Sequence, residues 1–323
     1  MKRRNLLKTG AAMAVLSAAH QTFAEPSKGV IRFICPFSAG ALHDYMTRQI
    51  ADGVGKVLSR PAIVENRTGA GGLVAVRSLQ NVGDNVTTVM QTYPGIVSLP
   101  MTLRSARFDP IEDLTPICAF GQSNAVLLVH SSVQATTVKE LIDQMRRMPN
   151  GIEAATVGVG TFSDVWTAVF ARRTDAPVLR VPYRGAAEMT LALQSGEARM
   201  LISAYGEQLH SLVQAGTIRL LAVASESPSP MFPGVPTLNQ SIPGLVIDPN
   251  WYGLQGPKNM PRAEAESIAA AVKKVVADRS MQQKLAAVYV DARFQDKEAF
   301  ARSMTKSQDI WRELMRELDF KPQ

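Results

Sequence analysis

The sequence predicts an α/β protein of two domains, and three observations support this fold class. Strand and helix patterns alternate from Ile31 to Gln91 in the β–α–β–α–β order that is typical of a parallel sheet. A second alternating unit occupies residues 125–224 and interrupts the first. The chain has 323 residues, 46% of them hydrophobic, which is enough to fill two cores. We therefore predict a first domain of residues 25–124 and 225–323, and a second domain of residues 125–224.

Residues 1–24 have the features of an export signal. They contain four basic residues and no acidic one, followed by an apolar stretch too short to span a bilayer and by small residues that end at Ala24. We expect cleavage after Ala24 and a periplasmic protein. The segment from Arg3 to Lys8 also resembles a twin-arginine signal. An ordinary secretory signal and a twin-arginine signal are equally compatible with the sequence. Without these four cations the formal charge of +7 falls to +3, too little to predict nucleic-acid binding.

The stretch from Ile31 to Arg48 has the pattern of an anion site. An apolar strand is followed by small residues at 38–41, and a helical pattern begins near Asp44. The first N–H groups of a helix have no intrahelical acceptor, and the helix dipole favours negative charge beside them. We expect Asp44 to be the N-cap. A second turn of this kind lies at 158–164, although small residues in both turns are also compatible with ordinary βα loops.

Motifs for enzymes are incomplete. Residues 121–125 nearly match a nucleophile elbow but lack its final glycine. The glycine-rich segments 69–74 and 158–163 each lack the last glycine of the dinucleotide fingerprint. The four histidines are scattered, without a second His or a Cys at metal-ligand spacing. We predict no catalytic residue, cofactor or metal, with a secreted α/β enzyme kept as an alternative.

Other segments complete the predicted fold. Thr137 and Glu140 form a capping-box pattern at the start of a helix, and residues 228–243 are predicted to be a long surface loop. The last helix carries an apolar stripe typical of core packing, made of Phe300, Met304, Trp311 and Met315. Cys35 and Cys118 lie in apolar runs and are predicted to be free thiols. The sequence contains no internal repeat.

Several separated segments, in one consistent order, carry a resemblance to a known family. They are Pro-Phe-Ser-Ala-Gly-Ala-Leu-His-Asp at 36–44, Val-Glu-Asn-Arg-Thr-Gly-Ala-Gly-Gly at 64–72, Val-Pro-Tyr-Arg-Gly at 181–185, Val-Pro-Thr at 235–237, and the segments 108–116 and 251–257. From about Val30 to its C-terminus, the chain resembles the Bug family. These are the periplasmic solute-binding proteins of tripartite tricarboxylate transporters.

The resemblance implies a fold, a ligand and a site. The fold is a type II periplasmic binding protein, or Venus flytrap, in which two α/β domains with mixed sheets are joined by two crossover strands. The ligand is a small carboxylate such as a dicarboxylate, a tricarboxylate, an amino acid or an aromatic acid. Further implied partners are the membrane subunits of a tripartite transporter, and we expect a monomer that binds no nucleic acid. Carried over residue by residue, the ligand-binding set is Phe37, Ser38, Ala39, Gly40, Ala41, Asp44, Thr92, Gly160, Thr161, Ser163 and Tyr183.

The chain departs from the family pattern near the predicted ligand. Ala41 replaces a usual glycine, and His43 stands where a small polar residue is usual. We expect His43 to be a solvated surface residue, with a cation that strengthens anion binding at acid pH as the alternative. Arg184 replaces a usual lysine, and the segment from Gly83 to Val86 differs as surface-turn variation. Besides transport and the secreted enzyme, a ligand sensor for a signalling receptor remains an alternative function.

Overall fold

The computed structural model describes residues 29–79, 86–225, 227–245, 247 and 250–323. The strands are β1 (Val30–Cys35), β2 (Ala62–Asn66), β3 (Val86–Thr92), β4 (Leu114–Ser123), β5 (Ala125–His130), β6 (Ile152–Thr156), β7 (Val178–Pro182), β8 (Met200–Ala204), β9 (Ile218–Ala224) and β10 (Asn250–Pro257). The helices are α1 (Leu42–Leu58), α2 (Leu73–Ser78), α3 (Pro94–Thr102), α4 (Val138–Arg146), α5 (Phe162–Thr174), α6 (Ala186–Ser195), α7 (Glu207–Gln214), α8 (Leu238–Ser241), α9 (Arg262–Ala277), α10 (Arg279–Ala286) and α11 (Lys297–Glu317). The predicted export signal and residues 83–85 lie outside the described residues.

The strands form two five-stranded mixed sheets, which confirms the predicted fold class. The first sheet has the order β2-β1-β3-β10-β4, and the second has the order β7-β6-β8-β5-β9. In the first sheet β1 is parallel to β2 and β3, while β10 is antiparallel to β3 and β4. In the second sheet β6 is parallel to β7 and β8, while β5 is antiparallel to β8 and β9. The two sheets therefore have the same arrangement, although the sequence shows no repeat.

The chain passes between the sheets at two adjacent places. Only Asn124 separates the end of β4 from the start of β5. Ser123 pairs with Asn250 in the first sheet, and Ala125 pairs with Ala224 in the second. Since β4 runs in the direction of β1 and β3, and β5 runs against β6 and β8, both sheets present their carboxyl edges to this crossover. The loops that follow β1 and β6 consequently lie at edges that face one another.

The last helix packs against both halves of the molecule. Phe300 and Met304 lie in a buried cluster with Trp251, whereas Trp311 and Met315 lie in the core of the second sheet. The predicted stripe is therefore core packing, divided between two cores. The second core also contains apolar residues of the segment that leads from β9 to β10, namely Leu238, Ile242, Leu245 and Ile247. The domain boundaries stay a prediction, and this segment packs on the side of the second sheet.

Several local predictions can be compared with the structure. Residues 228–243 are not a continuous loop, because Thr237 and Gln240 form a complete capping box at the start of α8. At α4 only half of the predicted box forms, since Thr137 caps the Glu140 N–H but Glu140 accepts from the Thr136 N–H. Cys35 and Cys118 are free and buried, as predicted.

Candidate functional site

The loop between β1 and α1 is closed by the carboxylate of Asp44. The helix begins at Leu42, and its N-cap is Ala41, which has an extended backbone and makes no side-chain capping bond. Asp44 is the third residue of the helix, and its Oδ2 accepts the Gly40 N–H at 2.9 Å. The prediction that Asp44 is the N-cap is therefore wrong. Its short side chain reaches back from the first helical turn instead, because Gly40 has a φ of 82° that turns its N–H towards the helix.

Three neighbours stabilise Asp44 as a buried carboxylate. Arg48 Nη2 lies 2.9 Å from Oδ1, and Asn66 Nδ2 donates to the same oxygen at 2.7 Å. Asn66 Nδ2 also donates to the Phe37 carbonyl at 2.9 Å, which ties the loop to the end of β2. Burial alone would raise the pKa of Asp44, but the hydrogen bonds from Arg48, Gly40 and Asn66 outweigh it and hold that pKa below its usual value.

The loop between β6 and α5 repeats this arrangement in the second sheet. Gly160 has a φ of 77°, and its N–H donates to Asp164 Oδ2 at 2.9 Å. Thr161 is the N-cap with an extended backbone. Arg180 Nη1 pairs with Asp164 Oδ1 at 2.7 Å, in the role that Arg48 has at Asp44. The two loops thus share three features: a glycine with a left-handed backbone, an aspartate that accepts the glycine N–H, and an arginine paired with that aspartate.

The side chains of the second loop make their hydrogen bonds within the loop. Thr161 Oγ1 donates to the Gly158 carbonyl at 2.6 Å, and Ser163 Oγ accepts the Val157 N–H at 3.1 Å. The first N–H groups of α1 and α5 have no acceptor within their helices. The surface of this loop therefore offers mainly backbone N–H groups, together with the exposed side chain of Val159.

The topology brings the two loops to a common crevice. In each sheet the strand order reverses at the strand that carries the loop, and such a switch point leaves a crevice at the carboxyl edge. The second loop also contacts elements at the first sheet. A Cβ added to Gly160 would lie 2.9 Å from Phe320 Cζ and 3.2 Å from Thr102 Cβ. Glycine at 160 thus lets the loop pack closely against the end of α3 and the segment after α11.

His43 belongs to an aromatic cluster in the first loop. Its ring stacks on Phe37 with centroids 3.8 Å apart and meets the edges of Tyr93 and Tyr252 at 5.1 and 5.3 Å. Its Nδ1 lies 3.0 Å from Gln91 Oε1. Burial lowers the pKa of His43 to about 4, against a smaller opposing effect of the Gln91 hydrogen bond. The prediction of a solvated surface histidine is therefore wrong, because the ring is partly buried within this cluster, and the imidazole is neutral above about pH 4.

The other predicted site residues differ in exposure. Ser38, Ala39 and Gly40 are exposed, and Phe37 and Ala41 are partly buried. Thr92 is the last residue of β3, fully buried, and donates its hydroxyl to Gln255 Oε1 at 2.8 Å. The Tyr183 hydroxyl donates to Glu197 Oε1 at 2.9 Å, and burial together with Glu197 raises its pKa to about 12. Thr92 is therefore buried and hydrogen-bonded within the first sheet, whereas the side chains of Ser38 and Ala39 are exposed.

Sequence reasoning missed the arginines that neutralise the two aspartates. The spacing of four residues from Asp44 to Arg48 on one helix face was an available signal. A second signal could have predicted that the two loops are closed in the same way. It is a glycine four residues before an aspartate, which occurs at 40 and 44 and again at 160 and 164. Arg180 has no such local signal, because it reaches Asp164 from a neighbouring strand.

The described part of the chain shows no metal centre, and Ser123 of the near-match nucleophile elbow lies beside Tyr252 rather than beside a histidine. No group of three or more His, Cys, Asp or Glu side chains there is placed to hold a metal ion. Ser123 Oγ lies 2.7 Å from the Tyr252 hydroxyl, and His130 Nδ1 lies 2.8 Å from Ser132 Oγ. Among the same residues, no helix has the length and apolar character needed to cross a membrane.

Comparisons with known proteins agree with this architecture. The family described as "Tripartite tricarboxylate transporter family receptor" matches residues 46–320. Protein BugT of Bordetella pertussis is 27% identical over 234 residues, which are 71% of this chain and 70% of BugT. A solved R. palustris structure with adipate has a TM-score of 0.83 at 24% identity, covering 92% of this chain and 99% of its own. MatC of Rhodopseudomonas palustris with bound malate has a TM-score of 0.77 at 20% identity, covering 88% and 98%.

The structural likenesses show the fold, and the family match extends over most of the chain. The resemblance to Bug proteins seen in the separated sequence segments is confirmed. The chain belongs to the solute-binding receptor family of tripartite tricarboxylate transporters.

Proposed function

We propose that this protein captures a small carboxylate between its two domains in the periplasm and delivers it to the membrane subunits of a tripartite transporter. The observation that carries the proposal is the pair of equivalent Gly–Asp loops at the facing carboxyl edges of the two sheets. The first loop belongs to the proposed domain of residues 25–124 and 225–323. The second loop belongs to the proposed domain of residues 125–224. A ligand that bridges the two loops would favour the closed arrangement by its greater affinity for it.

The charges of the two loops suit an anion. Asp44 and Asp164 are neutralised by Arg48 and Arg180, so their charges do not repel a carboxylate strongly. The helix N-termini supply N–H donors and a favourable dipole. Charge-assisted hydrogen bonds contribute about 1.5–3 kcal/mol each, so a few of them are enough for micromolar affinity.

We assign the predicted site residues to two roles. The residues whose backbone or exposed side chains would face the ligand are Phe37, Ser38, Ala39, Gly40, Ala41, Gly160, Thr161 and Tyr183. Asp44, Ser163 and Thr92 are assigned to holding these groups in place, because their side chains are buried and hydrogen-bonded within the protein.

The comparisons favour a dicarboxylate as the ligand class to examine first. One structural relative is described with adipate and another with malate. A binding role without catalysis is also favoured, since Ser123 and His130 are engaged with Tyr252 and Ser132 rather than with each other.

Thermal unfolding of the protein from Glu25 onward tests this function. The probes are acetate, succinate, adipate, citrate, glutamate and benzoate, each beside its neutral amide. At about a hundred times its dissociation constant, a ligand should add roughly 2.7 kcal/mol and raise the melting temperature visibly. We expect the acids but not the amides to have this effect. A folded protein that responds to none of the acids, or equally to acids and amides, would refute the proposal.

A matched pair of glycines shows whether the first loop is the site. Gly40 and Gly216 both have left-handed backbones, with φ of 82° and 70°, and both have open space at the Cβ position. Gly40→Ala and Gly216→Ala should therefore cost similar stability, about 1 kcal/mol each. Only Gly40→Ala should also weaken carboxylate binding, because only Gly40 shapes the ligand loop.

A further inference from the structure

The hydrogen bonds around Gln91 determine which nitrogen of His43 carries the proton. Gln91 is fully buried, and its Nε2 donates to the Thr92 carbonyl at 3.2 Å. This bond orients the amide so that Oε1, a pure acceptor, faces His43 Nδ1 at 3.0 Å. Nδ1 must therefore be the donor. In the neutral ring the other nitrogen, Nε2, then carries a free lone pair.

The Nε2 atom of His43 keeps some accessible surface, because the ring is only partly buried. In the described part of the chain, the buried side-chain nitrogen and oxygen atoms without a hydrogen-bond partner are Trp166 Nε1 and Thr167 Oγ1. Among the described residues His43 Nε2 has no hydrogen-bond partner, and it is not one of these two atoms, so it keeps accessible surface. The first loop thus offers an acceptor beside its N–H donors.

The surroundings of this acceptor favour a neutral donor over a cation. The nearest carboxylate in the loop, Asp44, is already bonded to Gly40, Asn66 and Arg48. An ammonium group brought to His43 would lose hydration without gaining an unpaired negative charge, and such desolvation is costly. A hydroxyl group needs only one acceptor, which a neutral imidazole provides.

We propose that His43 Nε2 is a specificity-determining acceptor that selects hydroxy acids, with the ligand hydroxyl bonded to Nε2 while its neighbouring carboxylate is bound by the loop N–H groups. This inference rests on the proposed function, since it assumes that a carboxylate binds the first loop.

Calorimetric titration with paired acids tests the assignment. The pairs are propionate and lactate, succinate and malate, and phenylacetate and mandelate, which differ only by a 2-hydroxyl group; aspartate is the ammonium counterpart of malate. One neutral hydrogen bond corresponds to about a three- to tenfold difference in affinity. We expect this preference for the hydroxy acid in any pair that binds, and weaker binding of aspartate than of malate.

The variant His43→Phe separates the acceptor from the packing role. Phenylalanine keeps a ring on Phe37 and among Tyr93 and Tyr252, but it has no lone pair. We expect His43→Phe to lose the preference for the hydroxy acid, so that the two members of each pair bind the variant with equal affinity. A circular dichroism melt of the variant shows that it is folded.

The outcomes distinguish this inference from the proposed function. Binding of acids with no hydroxyl preference, or a preference that survives in His43→Phe, would overturn the role of His43 and leave the carboxylate receptor standing. Tighter binding of aspartate than of malate would overturn the choice of a neutral donor. If the folded protein bound no acid of any pair, the proposed function would fail, and this inference with it.

Discussion

Two buried aspartates, Asp44 and Asp164, close the candidate ligand loops. Each accepts a glycine N–H four residues earlier in the chain and pairs with an arginine. A carboxylate in this position satisfies a donor that the left-handed glycine would otherwise leave unpaired. The aspartates therefore stabilise the loops without occupying the first N–H groups of α1 and α5.

Replacement of Asp44 by asparagine should destabilise the protein. The change removes a charge that accepts bonds from Gly40, Asn66 and Arg48, and bonds to charged groups contribute roughly 1.5–3 kcal/mol each. We expect a loss of about 2–3 kcal/mol in the free energy of unfolding, measured by urea denaturation. The control is Asp52→Asn on the same helix, where Asp52 pairs with Lys56 in an exposed salt bridge. That control should lose about 0.5 kcal/mol or less, and equal losses in both variants would contradict the account.

The pKa values of His43 and Asp44 give the stability a pH dependence in two windows. The pKa of His43 is lowered to about 4, so the unfolded chain binds a proton that the folded protein does not, and stability falls as the pH drops from about 6.5 towards 4. The pKa of Asp44 is also lowered, so its contribution is lost only below about 4.

The variant His43→Phe isolates the pH dependence of stability that His43 causes between about pH 6.5 and pH 4. Between pH 7 and pH 5 the wild type should lose about 1–2 kcal/mol more stability than the variant, because only the wild type must keep a histidine neutral. Urea denaturation at both pH values measures this difference. Identical losses in the two proteins would show that His43 is protonated normally in the folded state.

Predictions about single residues were correct where they depended only on neighbouring residues in the chain. The small residues at 38–41 and 158–164 predicted both loops, since strand, turn and helix start follow one another in the chain. Sequence reasoning failed for His43, because a histidine beside small residues looks solvated until Phe37, Tyr93 and Tyr252 are brought around it by the fold. It failed for Asp44 as an N-cap because the cap is decided by backbone angles at Gly40 and Ala41.

Among the secondary-structure elements, the segment after α11 holds the loop between β6 and α5 in place. Gln323 exchanges backbone hydrogen bonds with the chain after α3, donating to the Thr102 carbonyl at 3.1 Å and accepting from the Arg104 N–H at 2.8 Å. Arg104 Nε donates to the Pro322 carbonyl at 2.8 Å. These bonds place the Phe320 ring against Gly160. The second loop is thus fixed from outside its own sheet.

A double-mutant cycle of Gly160 and Phe320 measures this contact. Gly160→Ala should cost more stability than Gly40→Ala, because the added methyl group meets Phe320 at 2.9 Å whereas Gly40 has open space. Each substitution should lower the stability by about 1 kcal/mol, because alanine disfavours a left-handed backbone. At Gly160 we expect a further loss of about 1–2 kcal/mol from overpacking. In the Phe320→Ala background this excess should largely disappear. An excess that persists would mean that Phe320 does not limit the loop.

At the scale of the whole molecule, two sheets of equal arrangement meet at their carboxyl edges. The sequence predicted two α/β units and their mixed sheets, through local periodicity and through resemblance to a family. It could not predict that β10 lies between β3 and β4, or that β5 has the matching place in the second sheet, because such pairings join residues far apart in the chain. The shared Gly–Asp spacing of the two loops is visible in the sequence, whereas their position at facing edges follows from those pairings and becomes visible only in the fold.

In the proposed function, both loops bind one carboxylate together. The most direct measurement is a titration of the ¹⁵N-labelled protein with the acid that gives the largest thermal shift, followed by backbone amide resonances. We predict that amides of residues 39–42 and of residues 158–161 shift in parallel and yield one dissociation constant. Shifts confined to one loop, or absent from both while the acid binds, would contradict the two-loop site.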